Sequence, residues 1–118
     1  MVKNRYKNWT REELLHHLLI QASDSGISTK LVTKAVNDER WNPMEDFNGC
    51  NVIQDDLHPF LPCFIHDWRW IVYGRINKYD KEFRANLLLS GFTTFRATIF
   101  YIAVRLGSIF YSKYTKNK

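Results

Sequence analysis

At 118 residues, with 45% hydrophobic and 15% aromatic content, the chain has the size of one domain and ample material for one core, so disorder is expected at most at its ends, and no low-complexity tract is present. Two cysteines are too few for a disulfide scaffold, and they allow either one bridge or two thiols. The net charge of +5 is uneven: residues 41–67 hold five acids and no Lys or Arg, while residues 68–118 hold ten bases and two acids. An acidic island in a basic chain suits a cation site, and the basic C-terminal part suits an anionic surface such as lipid headgroups or phosphates. The alternative is that these charges simply face water. The basic N-terminus has no apolar stretch behind it, so no secretory signal peptide is expected. The longest apolar run, "ATIFYIAV", is bracketed by Arg96 and Arg105 and falls far short of the roughly 20 residues of a membrane span.

In "TREELLHHLLIQASDSG", Thr10 and Glu13 have the spacing of a capping box, and Leu14, Leu15, Leu18 and Leu19 form one apolar face. His16 and His17 read as surface of that helix. A second helix, "STKLVTKAVNDER", starts at Ser28 and turns Leu31, Val32, Ala35 and Val36 inward. Residues 41–62 hold all three prolines and Asn/Gly turn signals, so they read as a long ordered loop, a feature that is often functional. Residues 63–73 read as a short buried helix, Gly74–Asn77 as a turn, and Tyr79–Ser90 as a helix with Phe83, Leu87 and Leu88 on one face. Thr93 or Thr94 caps a last helix that runs to about Tyr114. Its residues Phe95, Ile99, Ile102, Leu106 and Phe110 repeat at helical spacing. That stripe reads as core packing, with a membrane-surface face beside Arg96, Arg105 and Lys113 as the alternative. No long stretch alternates with period two. The expected fold is all-α, a small helical domain with a long ordered loop. Residues 1–40 form an N-terminal helical extension packed on the same domain as a 41–118 core.

The chemistry concentrates in "PCFIHDWRW", residues 62–70. His66 and Asp67 are neighbours on a helix and point about 100° apart, so they serve separate purposes. One division makes His66 a general base and Asp67 a ligand for a hard cation such as calcium. The base then needs an acceptor on its other ring nitrogen, and Asp80 is the candidate. The plainer reading is a buried histidine bonded to a carbonyl beside a surface aspartate. Upstream, Gly49 in "EDFNGCN" can take backbone angles that let carbonyl oxygens converge on a cation. Cys50 and Cys63 can tie that loop to the start of the His-bearing helix. Phe60, Phe64, Trp68 and Trp70 can wall a dry site that receives an acyl chain. Two other sets compete. Cys50, His58, Cys63 and His66 form a possible zinc set, without the usual close pairing of the first two. Basic and aromatic residues interleave in "WRWIVYGR" as base-stacking surfaces do, although nucleic-acid binding has only net charge behind it otherwise.

"NGCN" followed by "PFLPCFIHDWRW" resembles the core of the phospholipase A2 family, in particular its compact bacterial and fungal branch. The resemblance continues through Asp80 and Phe83 of "YDKEF" and through "FYIAVRLGS", similar to the family's closing helix. It covers roughly residues 47–110, and small phage-encoded proteins share a like pattern. The resemblance implies a phospholipase A2-like helix pair carrying the site and hydrolysis of phospholipid sn-2 esters at a membrane surface. It implies His66 as the base that activates water and Asp80 as its orienting partner. It implies Ca2+ held by Asp67 with a carbonyl near Gly49, and a Cys50–Cys63 disulfide from loop to helix. Asn48 stands where the compact branch often has an acidic calcium ligand, and Trp70 where the family has a site-holding tyrosine. The phage-like pattern implies a protein of a virion, or one acting on a host envelope. The alternative is a non-enzymatic virion or interaction protein that reuses the fold and binds other virion proteins. One geometric obstacle stands: a tight hairpin about Gly74–Asn77 leaves His66 nearly two turns beyond the level of Asp80.

Overall fold

The computed structural model describes residues 6–47 and 59–116, with side chains through residue 107. Six helices run through these residues: α1 (Arg11–Ser25), α2 (Thr29–Asn37), α3 (Pro43–Asp46), α4 (Leu61–Val72), α5 (Asn77–Leu89) and α6 (Thr94–Lys116). Among the described residues there is no strand, so the fold is all-α.

Local signals set the first two helices. The Thr10 hydroxyl accepts from the Glu13 N–H at 3.1 Å, and the Glu13 carboxylate accepts from the Thr10 N–H at 2.9 Å, a complete capping box. Gly26 ends α1 in the left-handed region at φ 83°, where a side chain is disfavoured, and its N–H bonds the Ala22 carbonyl. Ser28 caps α2 through the Leu31 N–H. Leu14, Leu18 and Ala22 of α1 and Val32, Ala35 and Val36 of α2 are buried. They join one core with Phe64, Trp68, Phe83, Leu87 and Ala97 from the later helices.

The stretch expected to be loop contributes more than a loop does. Pro43 opens the short helix α3, and Pro62 lies in the first turn of α4, which starts two residues earlier than expected. Proline marks a helix start here, because its missing N–H is one that the first turn leaves unbonded in any case. Trp41 and Phe47 are buried: the Trp41 indole donates to the Ala35 carbonyl at 2.8 Å, and Phe47 stacks on Tyr6 with centroids 5.1 Å apart. α4 has no side-chain cap of its own. Gln21 of α1 supplies one, donating to the Pro59 carbonyl and accepting from the Leu61 N–H at 2.8 Å.

The α4–α5 connection removes the geometric obstacle. Gly74, at φ 111°, donates to the Arg69 and Trp70 carbonyls and reverses the chain at once. α5 then begins at Asn77, two residues before the expected start. His66 lies about 9 Å of helix before the end of α4 and Asp80 about 4.5 Å after the start of α5, an offset of less than one turn. A clasp holds the pair together: Arg69 bonds Glu82 through two nitrogens, at 3.0 and 2.9 Å, and lies over the rings of Trp68 and Tyr79.

α6 departs from the expected packing. It turns Ala97 and Val104 to the core and leaves Phe95, Ile99, Ile102 and Leu106 exposed. The smaller residues pack closely against α5, where Arg84 donates to the Thr98 hydroxyl at 3.0 Å and the Tyr101 hydroxyl donates to Asn77 at 2.6 Å. The side chain of Phe110 lies outside the described residues. No helix among the described residues is long and apolar enough to cross a membrane.

Candidate functional site

The site forms where α4, α5 and α6 meet around a fully buried carboxylate. Asp80 has no exposed surface, and three side chains reach it. Its Oδ1 lies 2.6 Å from Nε2 of His66, which is on α4 and only 5% exposed. The same oxygen accepts from the Trp70 indole N–H at 2.8 Å. Oδ2 accepts from Nη1 of Arg105, on α6, at 2.8 Å. His66 and Trp70 are four apart on α4, so both side chains reach the same oxygen from one helix face. The rings of Trp70 and Phe83 flank the imidazole, with centroids 4.2 and 4.6 Å away.

Burial pushes the Asp80 carboxyl up, but the bonds from His66, Arg105 and Trp70 outweigh it and hold the group below the ordinary carboxylate range. An ionised carboxylate only accepts, so His66 Nε2 carries the hydrogen and donates it. Nδ1 is then the basic nitrogen. No hydrogen bond reaches Nδ1 among the described residues. The buried polar side-chain atom without a partner among the described residues is Asn86 Nδ2. A ring fixed through one nitrogen can act as a general base through the other where water reaches it.

The other candidates are only partly placed. Asp67 follows His66 on α4 and is half-buried. Asn48, Gly49, Cys50 and His58 lie outside the described residues, so the calcium set is represented by Asp67 alone. Among the described residues no cluster of three or more His, Cys, Asp or Glu is placed to hold a metal ion. Cys63 is buried in the first turn of α4, and no free cysteine occurs among the described residues. Of the zinc set, Cys63 and His66 are described, and the Nε2 of His66 is already bonded to Asp80. Phe64 and Trp68 are core residues rather than pocket walls. The Trp68 indole donates to Asp38 at 2.9 Å, tying α4 to the end of α2. His16 and His17 meet edge to face on α1, with His17 tilted against Trp9.

Two partners of Asp80 went unread in the sequence. Trp70 carries a usable signal, since a buried indole N–H needs an acceptor. Arg105 carries none, because it lies 25 residues from Asp80 and reaches it only through the α5–α6 packing. Comparison with protein-family models, with curated proteins and with solved structures finds no match for this chain.

Proposed function

We propose that the chain is a calcium-dependent phospholipase A2-like hydrolase that cleaves phospholipid sn-2 esters at a membrane surface. The observation that carries the reading is the buried His66–Asp80 pair, at 2.6 Å, with Nδ1 left as the base. In this mechanism Nδ1 takes a proton from a water as its oxygen attacks the ester carbonyl. When the tetrahedral intermediate collapses, the imidazolium returns that proton to the departing glycerol oxygen. Asp80 keeps the ring in the productive tautomer and stabilises the transient imidazolium. Asp67 offers the hard carboxylate oxygen that calcium prefers, with the Asn48 amide and a carbonyl near Gly49 as further donors. Bound there, the ion would polarise the ester carbonyl and offset charge on the developing oxyanion. A Cys50–Cys63 disulfide would tie this loop to α4, and a crosslinked peptide in an unreduced digest is its test. The function is tested with phospholipid labelled separately at sn-1 and sn-2: calcium-dependent release of the sn-2 chain, stopped by chelator, is expected.

A second reading, a non-enzymatic virion or interaction protein, is favoured by one observation. His66 is 5% exposed and lies between the Trp70 and Phe83 rings, which restrict access to the base. Absence of release from either chain under any calcium condition would favour it.

A further inference from the structure

The outer face of α6 is unlike the rest of the surface. Phe95 is 73% exposed, Ile102 and Leu106 49%, and Ile99 46%. Their spacing of four, three and four places them along one side of the helix, opposite Ala97 and Val104. Exposure of single apolar residues is ordinary, but a continuous stripe calls for an occupant.

Charge selects the occupant. The sequence of α6 contains no acid, and of its bases Arg105 is taken up by Asp80, which leaves Arg96, Lys113 and Lys116. The two acids of residues 68–118 are both paired, the buried Asp80 with Arg105 and the partly exposed Glu82 with Arg69. Nothing negative on this part of the chain opposes an anionic surface. A second copy of the chain fits poorly, since pairing α6 with itself sets base against base. The stripe also offers on the order of 400 Å2, about half of what each partner contributes to a stable dimer. Nucleic acid would meet the charge but leave the aliphatic side chains wet.

We propose that the outer face of α6 docks on an anionic lipid surface, with Phe95, Ile99, Ile102 and Leu106 entering the acyl boundary and Arg96 beside the headgroups. Docking deepens the hydrolase reading, which already sets the reaction at a membrane surface, by naming the face that meets the lipid, and a test without hydrolysis separates the two. It would also bring the helix bonded to Asp80 against the membrane.

The test is co-sedimentation of the full chain with vesicles, in chelator so that no hydrolysis intervenes. Vesicles of phosphatidylcholine alone are compared with vesicles of phosphatidylcholine mixed with phosphatidylglycerol. Binding is expected on the mixed vesicles, weakening as salt rises. Phe95→Ser and Ile102→Ser should each weaken it about tenfold, and Arg96→Gln several-fold. These side chains are exposed, so the variants should keep the wild-type circular dichroism spectrum. Undiminished binding by Phe95→Ser and Ile102→Ser would overturn the proposal. So would failure to bind mixed vesicles, and a dimer that Phe95→Ser dissolves would then identify a second copy as the occupant.

Discussion

Trp70 donates its indole N–H to the same Asp80 oxygen that meets His66 Nε2, at 2.8 and 2.6 Å respectively. Two donors on one face of α4 thus converge on a single carboxylate oxygen. Trp70→Phe keeps an aromatic ring and removes the N–H, and hydrogen bonds to charged groups contribute about 1.5–3 kcal/mol. We expect a loss of about 2 kcal/mol in urea denaturation. In an Asp80→Asn background the same change should cost clearly less, since the charged acceptor is gone. Equal costs in both backgrounds would mean that Trp70 acts through packing alone.

Asp80 makes stability depend on pH with a definite sign. Its folded pKa lies below that of the unfolded chain. Its contribution is therefore present in full above the unfolded value of about 3.9 and is lost as pH falls through the folded value. Asp80→Asn lacks this titration. The stability difference between wild type and Asp80→Asn should be largest from pH 5 to 7 and should narrow steadily below about pH 4. Urea midpoints measured across that range check it, and a gap that widens on acidification would show the sign to be wrong.

Arg105 joins α6 to the site through Asp80 Oδ2, and its side chain is 27% exposed. Removing it leaves a buried carboxylate with less compensation. Arg105→Gln should cost about 2–3 kcal/mol, somewhat under the range for breaking a fully buried pair because water reaches the guanidinium. Arg105→Lys should recover part of that loss. If Arg105→Gln is neutral in chemical denaturation, the pair is not what holds α6 to the site.

Gln21 is the cap of a helix that lies 40 residues away in sequence. Both ends of its amide are used, on Pro59 and Leu61, and α4 has no other side-chain cap. Gln21→Ala should destabilise the protein by about 1–2 kcal/mol, as loss of a conventional N-cap does. Amide exchange should speed up in the first turn of α4 well before it does in α5. Uniform acceleration across both helices would contradict a capping role.

Features that depend on neighbouring residues were legible in the sequence. The caps at Thr10 and Ser28 are patterns three residues long, and the inward faces of α1 and α2 follow from periodicity. Features set by tertiary contact were less so. His66 and Asp80 could be nominated as partners, but their register depended on where α5 starts, and a two-residue difference turns an apparent mismatch into a bond. α6 is apolar nearly all round, so its periodicity locates a stripe without saying which side is buried. Packing against α5 favoured the side with Ala97 and Val104, because small residues let two helices approach closely. Pro43 and Pro62 read as loop signals in the sequence, but each lies in the first turn of a helix.

We propose above that His66, oriented by Asp80, acts as a base. The most direct test of that proposal is the rate of fatty-acid release from mixed phospholipid vesicles in calcium, for wild type, His66→Gln and Asp80→Asn. Glutamine approximates the size of the ring and cannot take the proton. We expect release by wild type, a loss of at least about a hundredfold in His66→Gln, and a smaller but clear loss in Asp80→Asn. Release by His66→Gln at the wild-type rate would contradict it, as would a wild type that releases nothing.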